Sequence, residues 1–362
     1  MKQNQKSSIE LPVIGPDQIV LLERLSNAVA LSGNEGEVRA IVLESIKGYA
    51  DEVKIDALGN VLVTCKAKTA DPVRVMVAAH MDEIGFMLVD EDSDGLFSFA
   101  LVGGIDTRQL PGKMVWVGKQ HLPGVIGARP IHLQEKDEST RTMSLSSLKI
   151  DLGPGGKGKA HPGEWATFAT TFQHIGPSLV GKALDDRLGV ATLIELVRNH
   201  PDNIELLAAF TVQEEVGLRG ARVAGYTFNA DMAFVIDSTP AFDLPTWDDT
   251  ENGTYNTRLD AGPAIYIADS STLSDPRLIR YLVQVAEENG IPYQFRQPGG
   301  GGTDAGAIHK VRAGIPSVSI SVPGRYAHTA CMIARTADWE NTLKLVYAAL
   351  NRISPQVLSV ER

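Results

Sequence analysis

Side chains that hold metal ions or move protons stand at the ends of apolar runs in five places. The run "VRVMVAAH" closes on His80, and Asp82 follows two residues later. "GKALDDRLG" presents Asp185 and Asp186 ahead of a helical pattern, and "AAFTVQEEVG" leads into Glu214 and Glu215. "FVIDST" carries Asp237, and "SVPGRYAHT" carries His328 just beyond a strand-like run. One strand-end acid is usually solvated or caps the next helix. Several converging on one edge would repel each other, and a pair of divalent cations would relieve that repulsion. Two imidazoles and several carboxylates without a thiolate cluster suit zinc or cobalt. A two-metal hydrolase needs a carboxylate shared between ions about 3.5–4 Å apart. The adjacent glutamates fit such a site, one as a ligand and its neighbour free to take a proton from water. Asp82 could orient His80 from behind, or be an acid of the turn.

Such donors meet only if the elements beneath them share an edge. After Gly181 strand-like and helix-like runs alternate: a helix at 188–198, a strand ending at Glu214, a helix at 221–226 and a strand at 232–237. A strand at 263–269, helices at 276–289 and from Asp304, a strand at 317–322 and a helix at 338–351 follow. Earlier, helices are expected around 19–29 and 38–49 and strands near 61–65 and 73–79. This rhythm predicts an α/β fold, a mostly parallel mixed sheet with helices on both faces. In such sheets ligands bind at the carboxyl ends of the strands. Residues 85–175 read differently, as short strands with Gly and Pro turns and little helical period. They form an expected small β-barrel inserted between 1–84 and 176–362, too long for a simple crossover. Its apolar runs, with Phe97, Phe99 and Trp116, need burial that a second subunit would supply.

The 362 residues carry a net charge of −10 with pI about 5.3, and no basic stripe. Nucleic acid and anionic membranes are therefore not expected partners. No apolar run is long enough to span a bilayer, and the polar first residues lack the apolar core of a secretory leader. With only Cys65 and Cys331 a disulfide framework is not expected, and the cytoplasm is the expected compartment. "GPGGKG" at 153–158 has the glycine spacing of a dinucleotide loop, but Pro154 interrupts it and no helix follows. "QPGGGGTDAG" at 297–306 lacks the Lys-Ser/Thr of a phosphate loop. It reads as a turn capped by Thr303 or Asp304, or as backbone lying close to a substrate. The remaining histidines, at 121, 132, 161, 174 and 200, fall in polar stretches, and His309 lies on an expected helix.

Taken in order, "AAHMDEIGFM", "VGGIDTRQLPG", "GKALDDRLG", "TVQEEVGLRGA", "VIDST", "GGGGTDAGAIH" and "SVPGRYAHT" resemble the tetrahedral dinuclear metallo-aminopeptidases. That group includes the glutamyl aminopeptidases and the cellulase-M-like peptidases, and the likeness spans about residues 20–352. The resemblance implies a metallo-exopeptidase-like fold and two divalent ions per subunit, zinc or cobalt, with manganese as a third candidate. His80, Asp185 and Asp237 would hold one ion; Asp185, Glu215 and His328 would hold the other, with Asp185 bridging. Glu214 would be the general base and Asp82 the support of His80. The substrate would be a peptide with a free N-terminus, and the insert would make dimers that assemble into a hollow dodecamer. Another dinuclear amidohydrolase, a carboxypeptidase or deacylase, is the alternative; an endoglucanase fits less well, since glycosidases use two metal-free carboxylates. "PGRYAHT" departs from the family's usual Thr-Arg-Tyr-Ile-His-Ser, and the loop Thr239 to Asp260 is long for the family.

Overall fold

The computed structural model describes residues 10–133, 143–244 and 257–362. The N-terminal stretch 1–9, expected to fray, and residues 245–256 of the long loop lie outside the described residues.

The chain opens with α1 (Pro16–Asn27) and α2 (Gly36–Ser45). Pro16 suits the first turn of α1, where its missing N–H leaves nothing unpaired, and the Gln18 side chain accepts from the Gly15 amide at 3.0 Å. A hairpin of β1 (Glu52–Ile55) and β2 (Val61–Cys65) leads to β3 (Val73–His80). Along β3 the side chains alternate faces. Val75, Val77 and Ala79 join the larger core, while Met76 and Ala78 join a smaller core on the opposite side.

Six strands then close into a barrel: β4 (Gly85–Glu91), β5 (Leu96–Val102), β6 (Met114–Val117), β7 (Leu122–Gly127), β8 (Lys149–Asp151) and β9 (Trp165–Phe168). Their order around the barrel is β4-β5-β8-β7-β6-β9. Closure removes the unpaired edges that a small sheet would otherwise expose. The alternation in "GFMLVDE" sends Phe86 and Leu88 inward and leaves Met87 and Val89 exposed. Phe86 meets Phe99 and Phe168 edge to face, each with ring centroids 5.2 Å away. Gly85 enters where β4 lies so close to β9 that a Cβ would stand 2.5 Å from the Ala166 carbonyl.

The main sheet resumes with β10 (Gln173–Ile175) and β11 (Ser178–Gly181). Next come α3 (Leu184–Arg198), β12 (Ile204–Thr211), α4 (Arg219–Phe228) and β13 (Met232–Pro240). They are followed by β14 (Ala264–Tyr266), α5 (Pro276–Asn289), β15 (Gln294–Arg296) and α6 (Ala305–Ile308). The chain ends its regular structure with β16 (Ser317–Arg325), β17 (Met332–Arg335) and α7 (Thr336–Arg352). Helix α3 is apolar on every side, with Leu188 through Val197 all buried, the pattern of a helix inside a protein. Helix α5 has the bounds its period predicts: Asp275 caps it by accepting from Arg277 N at 2.9 Å, and Gly290 ends it at φ 64°.

The main path of the large sheet runs β1-β2-β12-β3-β13-β16-β17-β11-β10, with β14 beside β16 and β15 beside β14. The parallel ladder is its centre, β12-β3-β13-β16; the flanking strands pair antiparallel. Helices cover both faces, with α1, α3, α5 and α7 in the larger core and α4 with α6 in the smaller one. The barrel has a third core of its own, to which Ala330 also contributes.

A buried ionic cluster fixes the two turns that leave the sheet beside the barrel. Glu83 accepts from Lys182 at 2.8 Å and from Arg187 at 3.2 Å, with all three side chains almost fully buried. Arg187 also donates to the carbonyls of Leu25 at 3.0 Å and of Met81. Buried charges persist only when paired and hydrogen-bonded in this way.

Truncating Phe86→Ala should remove about 3–5 kcal/mol from the barrel. Hydrogen exchange should quicken in β4 to β9 and stay slow in β3, β12 and β13. Equal loss of protection in the main sheet would show that the two cores unfold as one.

Candidate metal centre

The four parallel strands deliver their carboxyl ends to one edge, and the sequence-predicted residues stand there. His80 is the last residue of β3, Asp237 lies toward the end of β13, and His328 follows β16. Asp185 and Asp186 sit in the first turn of α3, whose backbone is non-helical at both residues; the peptide bond joining them is cis. β12 ends at Thr211, before the glutamates. The pair is therefore separated by a turn and not by strand alternation, since Gln213 takes φ 56° and redirects the chain. Ala183 (φ 52°) and His328 (φ 58°) share this left-handed conformation. It costs a non-glycine residue on the order of 1 kcal/mol and gathers at functional sites.

Asp185 stands at the centre. Its Oδ1 is 3.2 Å from His80 Nε2, and its Oδ2 is 3.5 Å from His328 Nε2. Asp237 Oδ1 lies 3.8 Å from His80 Nε2, and Glu215 Oε2 lies 3.6 Å from His328 Nε2. One carboxylate thus faces two imidazoles, each with a further carboxylate beside it. Glu214 lines the same cavity as His80, Asp185 and Asp237.

Asp82 ties these parts together. It accepts from Ser32 Oγ at 2.6 Å and from the backbone amides of Glu214 at 3.0 Å and Glu215 at 3.2 Å. Its Oδ1 faces His80 Nδ1 at 3.5 Å, too long for a strong hydrogen bond. His328 is oriented from the barrel, its Nδ1 donating to the Gly104 carbonyl at 2.9 Å. A carbonyl can only accept, so the proton sits on Nδ1 and Nε2 presents its lone pair.

The electrostatics show a surplus of negative charge. Burial, reinforced by the charge of Asp185, pushes the Glu215 carboxyl up to about 8. Burial and Asp185 push Asp237 up to about 6. Glu214 is also raised well above the usual range, by burial and then by Asp237, Asp304 and Glu215. Burial disfavours a charged His80, but Asp185, Asp237 and Asp82 outweigh it and raise its pKa. A cation would satisfy what these groups lack. His80, Asp186 and Asp237 each bring a donor atom within 4.8 Å of the others, and so do His80, Asp185 and Glu215. The donor set, all imidazole and carboxylate, fits divalent metal ions.

Two further carboxyls belong to the setting. Asp186 is fully buried; its Oδ1 accepts from Gly189 N at 2.9 Å, while Oδ2 has no hydrogen-bond partner among the described residues. Asp304 does not cap α6, as the sequence suggested; it accepts from the Thr211 hydroxyl, and its other oxygen is buried without a partner. Burial lifts its carboxyl to about 7. Thr303 does not cap either, since its hydroxyl pairs with Ser319 Oγ at 2.6 Å. Neither aspartate follows a long apolar strand; the signal was the repeated acid in "DDR" and an acid one residue beyond a run of glycines. Gly104 has no side chain through which a sequence could reveal it. His309 stays outside the centre, bonded to the Ala305 carbonyl at 2.7 Å, and His121 pairs with Glu37 at 2.6 Å.

Known proteins share this fold. The family model described as M42 glutamyl aminopeptidase matches residues 59–345. Lysyl aminopeptidase from Pyrococcus furiosus is 32% identical, over 92% of this chain and 97% of its own. The TET aminopeptidase from the marine sediment archaeon Thaumarchaeota archaeon SCGC AB-539-E09 superposes with a TM-score of 0.89 at 33% identity, covering 95% of this chain and 98% of that one. The Pyrococcus horikoshii TET1 peptidase, which can assemble into a tetrahedron or a large octahedral shell, gives 0.81 at 33% identity, over 93% and 100% of the two chains. Because the likeness runs through both the sheet that carries the carboxylates and the barrel inserted in it, this chain belongs to the M42 glutamyl aminopeptidase family of peptide-bond hydrolases.

Proposed function

We propose that this aminopeptidase binds a pair of divalent cations and removes N-terminal residues from peptides with Glu214 as general base. The observation that carries the reading is Asp185, whose two oxygens face His80 and His328 separately. His80, Asp185 and Asp237 would hold one ion, and Asp185, Glu215 and His328 the other, zinc or cobalt in each place. Bound there, the cations supply Lewis-acid polarisation of a carbonyl and a lowered pKa for water.

The protein's own contribution is placement and proton transfer. Asp82 holds the backbone of Glu214 and Glu215 with one carboxylate, so ligand and base keep a fixed separation. Glu214, in the cavity wall, takes the proton from the attacking water and gives it to the leaving amine. Burial and the neighbouring carboxylates raise the pKa of Glu214 above the ordinary carboxyl range.

We further propose that the barrel, residues 85–175 in the domain division drawn from the sequence, pairs subunits, which then build a closed shell. Its outer face leaves Met87, Val89 and Met114 exposed, apolar area of the kind that marks a contact surface. The P. horikoshii relative forms such shells. A closed shell would admit unfolded peptides and exclude folded proteins. The free thiols of Cys65 and Cys331 fit a reducing cytoplasm.

Replacing Glu214→Gln should keep fold and metal content and lower kcat by about 10²–10⁴-fold. Near-normal turnover would remove Glu214 from the mechanism. Asp185→Asn should lose both ions together, read by metal analysis after dialysis; retention of a full pair would assign the bridge to another acid such as Asp186. Light scattering should give the mass of a dodecamer, and a strictly monomeric enzyme that trims folded proteins would refute the shell.

A further inference from the structure

Gly300, Gly301 and Gly302, in the glycine run 299–302, form part of the wall of the cavity shared by His80, Asp185 and Glu214. The turn is anchored from behind. Thr303 bonds Ser319, Asp304 bonds Thr211, and Ser270 N donates to the Gly301 carbonyl at 3.0 Å. Three of the four glycines have structural reasons. A Cβ at Gly299 would stand 2.5 Å from the Arg296 guanidinium, and one at Gly302 would stand 2.7 Å from Ser271 Oγ. Gly301 takes φ 80°, which strains any other residue.

Gly300 has no such reason. Its φ lies outside the left-handed region, and a Cβ built on it meets no atom within 4 Å. The fold would accept alanine there. Gly300 itself lines the cavity of about 260 Å³, whose other walls include Phe242, Tyr266, Arg296 and Ala327. The same cavity holds the hydroxyl of Ser238, 6% exposed, which lies beside Asp185 and helps hold that carboxyl ionised.

We propose that Gly300 is a specificity-determining residue: the side chain of the substrate's N-terminal residue lies across it, and its bare backbone sets how large that residue can be. The inference rests on the aminopeptidase reading above and names the substrate class of that site, peptides with a bulky N-terminal residue. Adding side-chain volume at 300 closes the space to large residues and leaves it open to small ones.

The test uses Gly300→Ala and Gly300→Val in the full-length, metal-loaded enzyme, with tripeptides varied at the first residue (Leu-Ala-Ala, Phe-Ala-Ala, Ala-Ala-Ala) or the second (Ala-Leu-Ala). Metal content and melting temperature should match wild type. For Gly300→Val, kcat/KM should fall about tenfold or more with leucine or phenylalanine first. It should stay within about twofold with alanine first, whatever the second residue, and Gly300→Ala should fall between. A uniform loss, no loss, or a loss that follows the second residue would overturn the proposal. Calorimetric binding of free leucine and free alanine reads the same cavity without turnover: Gly300→Val should weaken leucine alone, and equal effects on both would overturn it. A wild-type enzyme that releases no N-terminal residue would refute the aminopeptidase reading instead, and the calorimetry would still decide the role of Gly300.

Discussion

Carboxyl groups crowded at one edge of a sheet are the constraint on which the rest of the structure depends. Asp82, Asp185, Asp186, Glu214, Glu215, Asp237 and Asp304 all lie at or just beneath the carboxyl ends of four parallel strands. No apolar environment tolerates so much like charge unless hydrogen bonds, imidazoles or cations offset it. The surroundings supply the first two. Asp82 is satisfied by a hydroxyl and two amides, whereas Asp186 and Asp304 are each met on one oxygen only, by an amide of α3 and by Thr211. Carboxyls that lack enough such partners, Glu215 and Asp237 among them, are pushed toward protonation. A divalent pair would return them to the ionised form, so metal binding and the charge state of the site are one equilibrium.

The scaffold that withstands this repulsion is built next to it. The Glu83, Lys182 and Arg187 cluster joins the turn after β3 to the turn before α3, so His80 and Asp185 cannot drift apart. Left-handed residues sit in the three turns that present Asp185, Glu214 and His328. Their conformational cost is offset by the cores on either face of the sheet, where α3 is buried on all sides.

The parts of this site legible in the sequence are those that follow long apolar strands. His80 and Asp237 were visible because "VRVMVAAH" and "MAFVID" are too apolar to be anything but central strands. The barrel was visible as short strand-like runs broken by Gly and Pro turns, with little helical period. The strand expected to end at Glu214 stops at Thr211 instead, because a left-handed Gln213 leaves no mark in a sequence. Asp304 looked like a helix cap, since its true partner, Thr211, is remote in the chain. The short strand β15 carries too few residues for a period to show, whereas β14 falls inside the strand expected at 263–269.

The contact between His328 and Gly104 bears on any attempt to simplify the protein. The barrel enters after Ile84, and β4 pairs with β9 where it leaves, so a short linker could replace it and rejoin the chain. Such a minimal enzyme would keep every carboxylate of the centre. It would lose the one acceptor that fixes the His328 tautomer, and the ring would be free to turn or to move its proton to Nε2. A trimmed scaffold would therefore need a carbonyl or carboxylate rebuilt at that spot before it could serve as a compact catalyst.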